Sequence, residues 1–200
     1  MLFRSKSAAR QLVKVYRESY NLYAVQGLLF NHEGTRRGEE FVTRKVTKGV
    51  ARIKKSILEG KSFEPIELGN VNARRDWSDA EDFVHGIWLM LNQDKPNEYV
   101  LSSNETHTIS EFVSLAFKSA DIDGVWHGEA ESAEFSITTK DAIRYEPVTS
   151  VLVKINPKFY RPAEVDLLLG DSTKARTVLG WKPQYTFDQL VEEMINCDSK

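Results

Sequence analysis

Four arginines, a lysine and two carboxylates in this chain have the types and settings that hold an anionic nucleotide. Asn31, His32, Glu33, Arg36 and Arg37 crowd together directly after an apolar run, Leu22 to Phe30, that is broken only by Gln26 and Gly27. Arg75 stands just before a helix start, where free backbone N–H groups already favour a phosphate; an ion pair with Asp79 or Glu81 is the competing reading. Arg161 carries a fork of donors suited to a diphosphate, and Glu164 can accept paired N–H donors from a purine such as guanine. A surface ion pair between those two is the alternative.

The elements that must position these residues follow from periodicity. The run Leu22 to Phe30 predicts a strand buried on both faces, as in a parallel sheet. Ligands in open α/β sheets gather beyond the carboxyl ends of strands, which is where Asn31 to Arg37 fall. A solvated loop stiffened by glycines is the other reading of that stretch. Val42, Val46, Val50, Ile53 and Ile57 recur at three and four residues, predicting a helix over Phe41 to Leu58 with a basic outer face. Lys45, near its N-terminal end and close to Arg36 and Arg37, is the member assigned to a ligand. Ser5 to Tyr20 reads as a helix with Ala8, Leu12, Val15 and Tyr16 on one face. Ser78 to Glu81, Thr108 to Glu111 and Thr186 to Gln189 each read as a capping box opening a helix, and Ser172 to Leu179 as a helix stopped by Gly180. Short strands are expected at Glu67 to Asn70, Tyr99 to Ser102, Val125-Trp126 and Val151 to Ile155. His107 reads as a loop residue, and His85 is accounted for by its place on a helix.

Composition narrows the field. The chain has 200 residues, 41% hydrophobic and 10% aromatic, enough for one globular core. A net charge of −2, from 27 basic and 29 acidic residues, gives no field favouring nucleic acid or an anionic membrane. The single cysteine, Cys197, excludes an internal disulfide and a thiolate zinc cluster. No apolar run reaches the ~18 residues of a membrane span, and no signal-peptide core is present, so a cytoplasmic protein is expected. No two of the 11 glycines are separated by one residue, so neither a Gly-x-Gly-x-x-Gly fingerprint nor a phosphate-binding P-loop occurs.

The motifs together are more specific than any alone. Leu29-Phe30-Asn31-His32-Glu33, Arg36-Arg37-Gly38, Leu68-Gly69-Asn70, Arg75-Asp76-Trp77, Tyr160-Arg161-Pro162 with Glu164-Val165-Asp166, Gly170-Asp171 and Leu179-Gly180-Trp181-Lys182-Pro183 stand in an order that resembles the GDP-mannose 4,6-dehydratases, extended short-chain dehydrogenases/reductases. Gly34-Thr35 departs from that family's Ser-Pro, and the stretch from Glu129 to Val151 is longer and less familiar.

The resemblance implies an α/β fold, the C-terminal part of a Rossmann-type parallel sheet plus a small mixed α/β substrate-binding domain. Residues 1–60 would be the last elements of the NADP-binding domain and 61–200 the sugar-nucleotide domain, with elements interleaved. It implies NADP as cofactor, contacted by Lys6, His32 and Arg37, and GDP-mannose as substrate, contacted by Asn31, Lys45, Arg75, Arg161 and Glu164. Lys6 matches the lysine of the family's Tyr-x-x-x-Lys pair, but Leu2 stands at the tyrosine position, and the threonine and glutamate of the chemistry are absent, so no catalytic residue is assigned. The chain is therefore expected to be the back half of a longer, homo-oligomeric enzyme and inactive alone. Another extended reductase acting on a nucleotide sugar, an epimerase or decarboxylase, is one alternative. A non-catalytic assembly fragment is the other.

Overall fold

The computed structural model describes residues 2–138, 151–160 and 165–200, with side chains from Ser5 onward. Arg161 and Glu164 lie outside the described residues, as does most of the stretch between Glu129 and Val151.

The chain opens with α1 (Leu2–Tyr20), which Asn21 ends by turning to φ 51°. β1 (Gln26–Leu29) and β2 (Asn31–Glu33) follow, then α2 (Val42–Leu58), β3 (Ile66–Leu68), β4 (Arg74–Arg75), β5 (Trp77–Asp79) and α3 (Ala80–Leu91). β6 (Glu98–Leu101), β7 (His107–Thr108), α4 (Ile109–Ser119), β8 (Gly124–His127), β9 (Glu134–Ile137) and β10 (Val151–Ile155) lead to β11 (Leu167–Leu168), α5 (Thr173–Leu179) and α6 (Phe187–Asp198).

Two short parallel pairs carry the N-terminal strands: β1 runs with β6, from Gln26 opposite Glu98 to Leu29 opposite Leu101, and β2 runs with β5, from Asn31 opposite Trp77 to Glu33 opposite Asp79. The chain thus changes partner at Phe30, whose N–H still reaches Leu101. A four-stranded mixed sheet in the order β3-β10-β9-β8 and a three-stranded one in the order β11-β4-β7 complete the β-structure of the described residues.

Apolar periodicity determines the core. Val46, Val50, Ile53 and Ile57 of α2 are buried against Phe112, Val113 and Phe117 of α4, Leu190, Val191 and Met194 of α6, and the four-stranded sheet. A smaller cluster, Phe83, Met90, Tyr99, Leu101, Ala175, Leu179 and Trp181, packs α3 and α5 over β6. The boxes at Thr108 and Thr186 form with both reciprocal bonds, and Gly180 ends α5 in the left-handed region at φ 66°.

Four expectations change. The strand expected over Leu22 to Phe30 is limited to Gln26–Leu29 and alternates between half-buried and exposed residues, while Leu22 and Tyr23 precede it as exposed coil. Its one partner among the described strands is β6, so one face and one edge lack the cover that a central parallel strand receives. No described residue covers the apolar face of α1 either; the helix is held through Arg10 and Arg17, which share the carboxylate of Glu98. At the start of α3 the cap is Asp79, which accepts from the Glu81 N–H, because Ser78 is kept in strand β5 by its register with His32. His107 belongs to β7, opposite Arg75, and its ring stacks on Phe187 at 3.8 Å.

Candidate functional site

The polar loop after β2 is built from the carboxyl end of that strand and the start of α2. Glu33 is buried, and Thr43 Oγ1 donates to its Oε2 at 2.5 Å. Arg37 Nε forms an ion-pair contact with the same oxygen at 3.0 Å, and the guanidinium lies over the Phe41 ring, 3.5 Å from its centroid. Arg44 reaches back from α2 to donate to the Thr35 carbonyl and pairs with Asp198 of α6 at 2.7 Å, tying the loop to two helices. The Arg37 N–H closes a turn on the Gly34 carbonyl at 3.0 Å.

Asn31 and His32 are half-buried on β2. His32 Nδ1 donates to the Phe30 carbonyl at 2.9 Å, because a carbonyl can only accept. The ring packs on Phe83 at 5.1 Å, which fixes its plane. Burial pushes the Glu33 carboxyl above the usual carboxylate range, against the opposing pull of Thr43, Arg37 and His32.

Beside the loop lies an open cleft of about 580 Å³, lined by Arg44, Lys45, Lys48, Arg52, Glu64, Glu67 and Phe159 among others. Lys45 Nζ sits 3.9 Å from the centroid of the Phe159 ring, and burial lowers its pKa, with the Glu67 carboxylate acting the other way. Arg52 donates to the Glu64 carbonyl at 2.7 Å, and Lys48 pairs with Glu39. Phe159, which lines the cleft, approaches Gly69 closely: a Cβ there would stand 2.5 Å from the Phe159 carbonyl oxygen.

Arg75 is on β4 and donates through Nη1 to the Val165 carbonyl at 2.6 Å and to the Arg74 carbonyl at 2.8 Å. Its guanidinium is thereby linked to the segment that directly follows Glu164. Behind it, the carboxylate of Asp76 is fully buried and accepts from the Ser103 N–H and hydroxyl, both at 2.7 Å, and from the N–H groups of Asn104 and Gly170, both at 3.2 Å. That single side chain gathers the carboxyl end of β6, the β4 to β5 junction and the segment after β11.

The structure therefore gathers Asn31, His32 and Arg37 at the end of β2 and its loop, and puts Lys45 in the cleft that Glu39 of the same loop also lines. Arg75 lies on a separate sheet, and Lys6 is exposed on α1. Sequence reasoning missed the partners: Thr43 for Glu33, Phe41 for Arg37, Phe159 for Lys45 and Asp76 as the hub behind Arg75. A hydroxyl on the first turn of a helix, ten residues from a carboxylate, is a signal only once that helix is known to fold back on the loop.

Residues 4–194 match the family described as GDP-mannose 4,6 dehydratase. The chain belongs to that family. Among the dehydratases of this name, that of Drosophila melanogaster is 46% identical over 184 residues, covering 92% of this chain and 43% of the relative. The Dictyostelium discoideum protein is 46% identical over 194 residues, covering 97% and 51%, and the Homo sapiens protein 43% over 194 residues, covering 97% and 49%. The chain spans about half the length of the dehydratases it matches. Its fold is similar to a structure of RMD from Pseudomonas aeruginosa complexed with NADPH, with a TM-score of 0.72 at 18% identity over 98% of this chain and 54% of that one. It is similar also to a dTDP-glucose 4,6-dehydratase from Bacillus anthracis in complex with NAD, with a TM-score of 0.67 at 18% identity over 97% and 50%. These are Rossmann-type neighbours, and the likeness is one of fold.

Within the dehydratase family frame, the polar loop stands at the carboxyl ends of parallel strands, which is where this architecture places its ligands. Among the described residues no group of three or more His, Cys, Asp and Glu could hold a metal ion, and no helix is long and apolar enough to cross a membrane.

Proposed function

We propose that this chain supplies the sugar-nucleotide-binding part of a GDP-mannose 4,6-dehydratase, which removes water from GDP-mannose to give GDP-4-keto-6-deoxymannose. The observation that carries the reading is the cationic cleft at Lys45, placed directly beside the Arg37 loop in a chain of this family. Lys45, Arg75, Arg161 and Glu164 hold the GDP moiety and Asn31 touches its phosphates. The partly buried Lys45 has little water to lose when a phosphate or base edge replaces its contact with Phe159. Residues 1–60 serve as the last elements of the cofactor domain and 61–200 as the substrate domain, interleaved through the β1–β6 and β2–β5 pairs.

A nicotinamide cofactor, NADP, is part of this reading. The side-chain set fits one edge of it: a guanidinium ion-paired with Glu33 and an exposed lysine offer donors to a phosphate and a ribose, and an imidazole whose Nδ1 is spent on the Phe30 carbonyl leaves Nε2 to face the ligand. His32 and Arg37 would contact it, and Lys6 would hold its ribose. When bound, the cofactor supplies a hydride acceptor that becomes the donor later in the same turnover. This chain's own residues bind and orient; none of them is assigned the proton transfers, because Leu2 occupies the tyrosine position.

Calorimetry with GDP-mannose and UDP-mannose tests the reading. The chain is expected to prefer the GDP sugar, and Lys45→Ala to weaken it about tenfold, the worth of one charge-assisted contact. Equal affinity for both sugars removes the guanine assignment, and an unchanged Lys45→Ala removes the cleft.

A homo-oligomer and an assembly role form a second reading. Leu12 at 58% and Tyr16 at 52% exposure leave an apolar stripe on α1 that nothing described covers.

A further inference from the structure

Glu33 is 2% exposed, the most deeply buried charge of the polar loop, and neither cofactor nor substrate contact explains it. The parallel register sets it opposite Asp79, itself buried, so a second acid stands beside it on the neighbouring strand. Burying a carboxylate costs several kcal/mol before any partner is counted, and an apolar side chain would serve the packing better. Its oxygen is nevertheless specifically engaged, by Thr43 Oγ1 at 2.5 Å and Arg37 Nε at 3.0 Å. Arg37 is gripped a second time by the Phe41 ring beneath its guanidinium. Nε is buried beside the carboxylate as an ion-pair contact and makes no hydrogen bond among the described residues, so charge and the Phe41 ring hold the guanidinium, and the four N–H donors on its terminal nitrogens are the ones a phosphate can take.

We propose that Glu33 is a positioning residue: its carboxylate, fixed by Thr43, holds the Arg37 guanidinium by charge against Phe41 so that the terminal nitrogens of the fork are kept for an anionic phosphate group. The proposal rests on the reading of Arg37 as a cofactor contact. It assigns the loop's one buried acid the task of making a long, flexible cation a directed donor, which lowers the ordering cost of binding.

Arginine side-chain NMR on the 15N-labelled chain, titrated with NADP, reads both halves of this. In the unsubstituted protein the Arg37 Nε–H is expected to exchange slowly, and NADP to shift it. Glu33→Gln keeps the shape and an oxygen for Thr43 but removes the charge; it should speed Nε–H exchange and weaken NADP about tenfold, as Arg37→Ala does, with no further loss in the double variant. Thr43→Val should give a smaller loss in the same direction, and it carries the comparison if Glu33→Gln does not fold. Glu33→Asp, which retains the charge, should recover part of the affinity. Unchanged exchange and affinity in both Glu33→Gln and Thr43→Val, or losses that add to those of Arg37→Ala, overturn the positioning role. Arg37→Ala binding NADP like the unsubstituted chain overturns the cofactor reading instead, and the Nε–H exchange then decides by itself whether Glu33 holds Arg37.

Discussion

At the scale of single residues, burial against pairing decides how Glu33 behaves. Desolvation outweighs Thr43 and Arg37, so the carboxyl titrates above its ordinary 4.5 in the folded chain. The folded state then holds this proton more tightly than the unfolded state does. Its contribution to stability is full below about pH 4.5 and is lost as pH rises through the higher folded value. Glu33→Gln removes that loss, so the variant should melt no lower than the unsubstituted protein near pH 7 and lose its advantage near pH 4. A variant that melts lower at neutral pH would mean that the Arg37 ion pair outweighs desolvation. The polar cluster at the end of β2 was legible as a cluster because five polar side chains follow an apolar run. Their partners were not, because they arrive through tertiary folding. Arg75 illustrates this: Asp79 and Glu81 are near in sequence, but the parallel pairing of β4 with β11 presents the Val165 carbonyl to its Nη1.

At the scale of elements, the helices were the most legible part, since α2 carries a sustained apolar stripe and α4 and α6 add a capping box to theirs. α2 and α6 match their patterns nearly residue for residue. Strands of two to four residues carry little alternation: β3, β6 and β8 were read only approximately, β2, β4, β5, β7, β9 and β11 had no separate expectation, and β1 was drawn too long. What joins such short strands is side-chain chemistry, and Asp76 is the clearest case. Its carboxylate accepts from three backbone N–H groups and one hydroxyl on segments far apart in sequence. Replacing it with alanine leaves buried donors unpaired at about 1–3 kcal/mol each, so Asp76→Ala should lose at least about 3 kcal/mol in denaturant unfolding, and Asp76→Asn less. A loss under about 1 kcal/mol would show that water satisfies those donors.

At the scale of the whole molecule, two features act together: an apolar stripe that no described residue covers, and the set of binding groups proposed above. α1 exposes Leu12, Val15, Tyr16 and Tyr20, and β1 keeps one edge unpaired among the described strands. Exposed apolar stripes and open strand edges drive association, so light scattering should find the purified chain larger than a monomer, and Leu12→Glu with Tyr16→Glu should reduce that mass. A monodisperse monomer with a cooperative thermal transition would count against it. Chemistry makes the sharper test. Dehydration of a hexose needs an acid/base at the C4 hydroxyl and a base for the C5 proton, each typically contributing about 10²–10⁴-fold. Leu2 has no proton to give, and the sequence has no Gly-x-Gly-x-x-Gly turn to seat a pyrophosphate at a helix N-terminus. Association of identical copies multiplies the binding surface without supplying either group. The chain incubated with NADP and GDP-mannose should accordingly form no 4-keto product above a no-enzyme control, at any concentration at which it self-associates. Turnover that disappears in Lys6→Ala would place an acid/base elsewhere among these residues and overturn the assignment of this chain to binding alone.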